Sequence, residues 1–337
     1  MTQATFLSTM ELVLLKLIEH NGLDAKSFMQ QLGFDDAAIP NPNERTSTQV
    51  ADAYFAKAVE LIPNPAFALQ AAACWHPSNL GALGFAWLSS ATLQEGLNRL
   101  VRYSGIIGQK ASFQCLKTSK STRLIHLNHR TDSAVSDAIT DFSLSLIVDM
   151  CRKNAGPDFH PNLVKLSRQK PQDTKPYTTF FGCEVVFDAK ENSLEIDRII
   201  ADSPLPTSNL ELATTLDGIL SKQLASLDKS NIVARCKHYF LMELTSGEPT
   251  EQALAKALGI SLRSLQRKLA EDGTSYSRLF DEVRHELAQN YLSGSHRSVN
   301  EITFLLGFSE QSAFTRAFKR WHGKSPSNYR TENLALS

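Results

Sequence analysis

The C-terminal part of the chain repeats itself, and an internal repeat narrows the possible folds more than any single motif does. Leu258-Gly259-Ile260-Ser261 recurs 48 residues later as Leu306-Gly307-Phe308-Ser309. Leu265-Gln266-Arg267-Lys268-Leu269 recurs, one residue further displaced, as Phe314-Thr315-Arg316-Ala317-Phe318, and Gly273-Thr274-Ser275 recurs as Gly323-Lys324-Ser325. Three matches in the same order describe a duplicated structural unit.

Each copy is punctuated as two helices joined by a tight turn. In the first, Thr250 precedes a run with Ala253, Leu254, Ala257 and Leu258 on one face; Gly259 offers a left-handed C-cap and Ser261 caps the next helix. In the second, Ser298 and Glu301 have capping-box spacing, Gly307 ends the helix and Ser309 caps the one after it. This is the pattern of a helix-turn-helix.

The second helix of each copy, about residues 261–270 and 310–321, has two unlike faces. Leu262, Leu265 and Leu269 fall on one side of the first, leaving Arg263, Gln266 and Arg267 on the other. In the second, Phe314, Ala317, Phe318 and Trp321 pack inward and Gln311, Ser312, Thr315 and Arg316 face out. Those outward side chains have hydrogen-bonding groups that match base edges and phosphates in a major groove. An ordinary solvated face would explain one such helix more readily than both copies of a duplicated unit. The helix between them, about Tyr276 to Leu292, has 17 residues. It spans about 25 Å at ~1.5 Å per residue, enough to hold two readers near the ~34 Å repeat of successive major grooves.

Charge agrees with that reading. The chain has 35 basic and 35 acidic residues, but from Lys229 to Ser337 there are 15 and 11, a net +4, and the remainder carries −4. One end is therefore the better partner for phosphates.

At these residues the sequence resembles the AraC/XylS family of bacterial transcription regulators. The resemblance is carried by Gly307-Phe308-Ser309, by Phe314-Thr315-Arg316-Ala317-Phe318-Lys319-Arg320, by Gly323-Lys324-Ser325-Pro326 and by Tyr329-Arg330, and it covers about Ile232 to Arg330. It implies that Arg263, Gln266, Arg267, Gln311, Ser312, Thr315 and Arg316 sit where relatives place groove contacts. It also implies promoter DNA and RNA polymerase as partners. The N-terminal portion is similar to the effector domain called arabinose-binding, found in a subset of that family. That likeness lies in His76 to Gly84, Ser90 to Leu97, Arg102-Tyr103 and Phe180-Phe181-Gly182, and it implies an effector without naming one.

The expected architecture is an α+β N-terminal domain over residues 1–228, an all-α double helix-turn-helix domain over 229–331, and a disordered tail over 332–337. Helices follow Thr46-Ser47-Thr48-Gln49, running to Leu61, and Thr92-Leu93-Gln94-Glu95. Short alternating or β-branched segments at Arg123 to His129, Leu163 to Ser167, Glu184 to Asp188 and Ser193 to Asp197 read as strands of a small mixed sheet, interrupted by a long helix from Ser133 to Arg152. Asn209 to Leu227 is helical, with Leu212, Leu216, Ile219, Leu220 and Leu224 as a stripe that serves either its own domain or a dimer seam. The boundary falls at Asp228 to Asn231.

Hydrophobic residues make up 42% of the chain and charged residues 21%, the balance of a water-soluble globular protein. Five widely spaced cysteines with no C-x-x-C pair read as reduced thiols in a cytoplasmic protein. Leu12 to Ile18 is interrupted by Lys16 and reads as an amphipathic helix, not an export signal. Enzyme motifs are lacking. His285-Glu286-Leu287-Ala288-Gln289 has Gln where a zinc helix needs its second His, and His126 and His129 would not share a face. Cys151 and His160 have no third group placed beside them, and Gly81 and Gly84 read as sites of close helix packing. No metal or cofactor is expected.

Trp75, His76, Trp87 and Tyr103 are candidates for a small-molecule pocket, with core packing an equal explanation. The chain thus reads as an effector-responsive DNA-binding regulator, an activator and not an enzyme. The alternative is a DNA-binding regulator whose N-terminal domain serves only dimerisation or protein interaction. An enzyme with a DNA-binding tail is the remoter one.

Overall fold

Two three-residue strands, each running straight into a helix, begin the structure. β1 (Thr5–Leu7) leads into α1 (Ser8–His20); α2 (Ala25–Gln31) follows, and β2 (Arg45–Ser47) leads into α3 (Thr48–Leu61). β1 and β2 pair antiparallel, Phe6 opposite Thr46. Arg45 ties this ladder down, its Nε donating to Thr5 Oγ1 at 2.9 Å and its Nη1 to the Ile106 carbonyl at 2.6 Å. Beneath it the buried Glu11 accepts from Thr46 Oγ1 at 2.7 Å and from Tyr54 at 2.9 Å, so both its carboxyl oxygens are hydrogen-bonded. Neither strand was expected from the sequence, since each runs into its helix with no Pro, Gly or Asn to divide the two.

This computed structural model describes residues 4–34, 44–109, 112–128, 132–227, 232–244, 249–294 and 297–334. The chain divides into two compact units, Met1–Thr207 and Ser208–Ser337. His129 and the expected boundary at 228–231 lie outside the described residues.

The first unit continues with α4 (Ala71–Cys74), α5 (Ala82–Leu88) and α6 (Leu93–Ile107). Thr92 caps α6 by accepting from the Glu95 amide, while the Glu95 carboxylate reaches back to Ala91 N, one residue beyond a standard capping box. Gly84 does allow close packing, because a Cβ there would strike the Pro77 carbonyl. Gly81 does not: space around it is open, and its φ of +58° is what calls for glycine.

A small mixed sheet completes the unit as expected, with five strands where the sequence marks four. It is built from β3 (Ser112–Lys117), β4 (Ser121–Leu127), β5 (Leu163–Lys165), β6 (Glu184–Val186) and β7 (Asn192–Asp197), in the order β3-β4-β7-β5-β6, parallel only between β5 and β6. Leu124, Leu194 and Val164 stand in register across three strands and are all buried, which fixes the core face; a slip of one residue would expose the whole row. The intervening helices are α7 (Ser133–Ala155), α8 (Lys175–Phe181) and α9 (Arg198–Asp202). α7 is capped by Asp132 and is three residues longer than expected, to Ala155.

The second unit is all helical: α10 (Leu210–Leu227), α11 (Ile232–Glu243), α12 (Glu251–Ala257), α13 (Leu262–Glu271), α14 (Tyr276–Gly294), α15 (Val299–Leu305), α16 (Gln311–His322) and α17 (Pro326–Leu334). α10 falls in this unit and packs against α11, so the structural division precedes α10 instead of following it. Its buried face holds Ala213, Asp217, Leu220 and Ser221, and Leu212 and Ile219 are exposed. α17 extends to Leu334, so the tail expected to be disordered from 332 begins as helix. Among the described residues no helix is long and apolar enough to cross a membrane.

Candidate nucleic-acid interface and effector cavity

Both copies of the repeat fold as helix, turn, helix. Thr250 caps α12 by accepting from the Ala253 amide at 3.1 Å. The buried residues of α12 are Leu254 and Ala255, with Leu258 half-buried; Ala253 and Ala257, expected inside, are exposed. The short helix leans on α13 along the 254–255–258 edge, which turns its other side to solvent. Gly259 and Gly307 both take φ of +68°, the left-handed turn that only glycine adopts freely, and so the repeat extends to the backbone.

Ser261 caps α13 through the Ser264 amide, and Ser298 with Glu301 forms the reciprocal box at α15. That box holds the Glu301 carboxyl below its ordinary range, chiefly through the Ser298 backbone hydrogen bond. α16 departs from expectation. Its N-cap is Glu310 and not Ser309, with no side-chain cap, because the Glu310 carboxylate turns instead to Ser312 Oγ and to Arg316, 3.6 Å away.

Leu265, Leu269, Phe314, Ala317 and Phe318 are buried, and Trp321 is half-buried against His285. On the opposite faces Arg263, Gln266 and Arg267 are exposed on α13; Gln311, Ser312 and Arg316 are exposed on α16, and Thr315 is half-buried. Carboxylates already hold several of these groups. Arg267 pairs with Glu271 at 2.6 Å and Gln266 Nε2 donates to Glu251 at 3.2 Å. Exposed pairs of this kind contribute only about 0.2–1 kcal/mol, so phosphates and base edges compete with them easily.

Two arginines that sequence reasoning missed fasten the turns. Arg235 on α11 donates to the Leu258 carbonyl at 3.0 Å. Arg284 on α14, 4% exposed, donates from Nε to the Leu306 carbonyl and from Nη2 to the Gly307 carbonyl, both at 2.9 Å. Its guanidinium also lies 4.1 Å from the ring centres of Phe280 and Phe308. Each turn is thus gripped by an arginine from the long helix before it, at an offset (235 to 284) that matches the repeat. One continuous core, from Ile232 through Phe280 and Leu287 to Phe318, joins both copies. The Tyr329 of the terminal motif packs on Phe318 at 5.3 Å, a structural role.

The first unit holds a partly open cavity of about 70 Å³. Trp75 and Trp87 line it, together with Phe142, Ser143, Leu146 and others. Of the other expected pocket residues, His76 is exposed and caps a short 3-10 helix by accepting from Ser78 N at 3.2 Å, while Tyr103 is buried away from the cavity wall. Cys151 is not an activated nucleophile, since burial pushes its thiol up to about 12.

Residues 22–205 match the model of the arabinose-binding domain of AraC transcription regulators, more than half of the chain, and residues 254–332 match a helix-turn-helix domain. The chain belongs to the AraC family. It is a DNA-binding transcription regulator, and the second match covers both copies of its repeat. Among AraC-family relatives it is similar to the ornithine utilization regulator of Pseudomonas aeruginosa, 26% identical over 94% of each chain. It is also similar to the HTH-type transcriptional regulator VirS of Mycobacterium tuberculosis, 26% identical over 79% of this chain and 78% of that one. A solved structure, the transcriptional regulator CdpR of Pseudomonas aeruginosa, aligns with 90% of this chain and 96% of its own at 18% identity and a TM-score of 0.48.

Proposed function

We propose that this regulator reads two successive major grooves with α13 and α16. Arg263, Gln266 and Arg267 would contact one, and Gln311, Ser312, Thr315 and Arg316 the other. The observation that carries the reading is that both outward faces are rich in side chains suited to base edges and phosphates, and both helices are built on one core. α14, at 19 residues, is about 28 Å long, which supports a span of one DNA turn.

In this reading the first unit senses an effector and changes DNA affinity, because the effector binds two arrangements of the protein unequally. The cavity supports an effector-responsive activator over a purely dimerising first unit. RNA polymerase is the partner at the promoter, the site of action is the cytoplasm, and no reaction is catalysed. Leu212 and Ile219, seven residues apart and exposed on α10, support a homodimer formed through that helix.

The test is binding of the full chain to its own upstream DNA and to a scrambled duplex at two salt concentrations. Selective binding that weakens with salt is expected. Equal affinity for both duplexes would overturn sequence-specific reading.

A further inference from the structure

The chemistry of the cavity wall says what kind of effector fits, an inference that rests on the effector-sensing reading above. α7 supplies one face with Phe142, Leu146, Ile147 and Met150, a stripe one helical turn apart. Trp75 and Trp87 close the other side. Among the described residues no charged side chain lines it, and apart from the two indoles Ser143 is the single polar one.

Two charged groups beside the lining residues pair with each other. Trp75 Nε1 donates to Asp149 Oδ2 at 2.7 Å, and Lys153 Nζ lies 2.5 Å from the same oxygen. Asp149 is thus paired with Lys153 on its own helix and hydrogen-bonded by Trp75. Gly96 leaves room for the Trp87 indole nitrogen, which a Cβ there would meet at 2.8 Å.

We infer that the cavity binds a small uncharged ligand, an aliphatic chain or a single aromatic ring with at most one hydrogen-bonding group, which Ser143 Oγ receives. A pentose would bury several hydroxyls with one partner among them, and each unpaired buried hydroxyl is unfavourable. An α-amino acid would bury an ammonium and a carboxylate against hydrocarbon, which is worse. A neutral apolar molecule meets neither penalty and gains from leaving water. The site is thus a poor one for arabinose or ornithine, despite the family model's description and the relative's name.

Two of the three tryptophans line the cavity, so intrinsic fluorescence reports its occupancy. Titrating the full chain with 1-octanol, benzyl alcohol, L-arabinose and L-ornithine, by fluorescence and by calorimetry, tests the assignment. Saturable binding of 1-octanol or benzyl alcohol is expected, with none for the other two. Ser143→Leu, which fills the space with apolar atoms, should weaken it about tenfold or more, and Ser143→Ala, which leaves the alcohol hydroxyl without its partner, should weaken it about two- to tenfold. Leu146→Trp is a second filling variant should Ser143→Leu not fold, as judged by circular dichroism. Absence of saturable binding by either alcohol, unchanged binding in a folded filling variant, or saturable arabinose or ornithine binding that the filling variants abolish would each overturn the inference. DNA binding by the same preparation is scored separately. DNA affinity that does not respond to saturating alcohol, with alcohol binding intact, refutes the effector-sensing reading and leaves the cavity assignment standing.

Discussion

Replacing Arg284 should loosen the second reader far more than replacing Arg235 loosens the first. Arg284→Ala removes two charge-assisted hydrogen bonds, to the Leu306 and Gly307 carbonyls, and two ring contacts. Hydrogen bonds to charged groups contribute about 1.5–3 kcal/mol each and a desolvated cation–π contact up to about 2. Against this stands the cost of burying the guanidinium, which the alanine variant no longer bears, so a net loss of about 3 kcal/mol is expected. Arg235→Ala removes, among its contacts, a half-buried hydrogen bond to the Leu258 carbonyl, for a loss of about 1 kcal/mol. Hydrogen exchange read by mass spectrometry on the full chain localises the effect. Exchange in α15 and α16 should quicken about 100-fold in Arg284→Ala and about fivefold near α12 and α13 in Arg235→Ala. Arg284→Lys keeps the charge but not the two-pronged geometry and should fall between. Equal, small changes in the two alanine variants would refute the reasoning.

Arg267→Ala and Arg316→Ala should each weaken binding to the cognate site by about 1–3 kcal/mol while changing affinity for scrambled duplex less; equal losses on both would make them phosphate contacts. Glu310→Gln frees Arg316 and Ser312 and removes a negative charge from the reading face, so affinity at low salt should rise about threefold, an effect that fades with added salt. Burial lowers the pKa of His285 below its ordinary 6.5, and its Nε2 has no hydrogen-bond partner among the described residues. A folded pKa below the unfolded one means stability that is present above pH 6.5 and lost as pH falls, so thermal unfolding should move lower from pH 7 to 5, and His285→Phe, which retains the stack on Trp321, should flatten that slope. Leu212→Glu combined with Ile219→Glu should convert a dimer to monomers in sedimentation velocity; a monomeric wild-type chain would remove the seam.

What the sequence made legible was what is local. Capping residues, the two turn glycines and the apolar stripes of α13 and α16 act within a few residues of themselves, and the structure has them nearly where the pattern indicates. The strand segments were visible because β-branched residues alternate over several positions. What escaped depends on partners distant in the chain. β1 finds its partner across 40 residues, and α10 carries an apolar stripe that fits either unit until its packing on α11 is seen. His76 has the chemistry of a ligand contact but serves as a helix cap, and Glu310 displaces Ser309 as the N-cap through its own pairing with Arg316. Arg235 and Arg284 gave no signal because their acceptors are carbonyl oxygens, which every residue has.

That anonymity separates two tasks. Any residue that keeps the turn at 258, 306 or 307 presents the same oxygen to the arginine, so the mounting of each reader is indifferent to what the reader says. The outward positions of α13 and α16 are thereby released from any duty to hold the domain together. On the proposed reading, new operator preferences are open to exchange of those positions alone, with the scaffold beneath them carried forward unaltered.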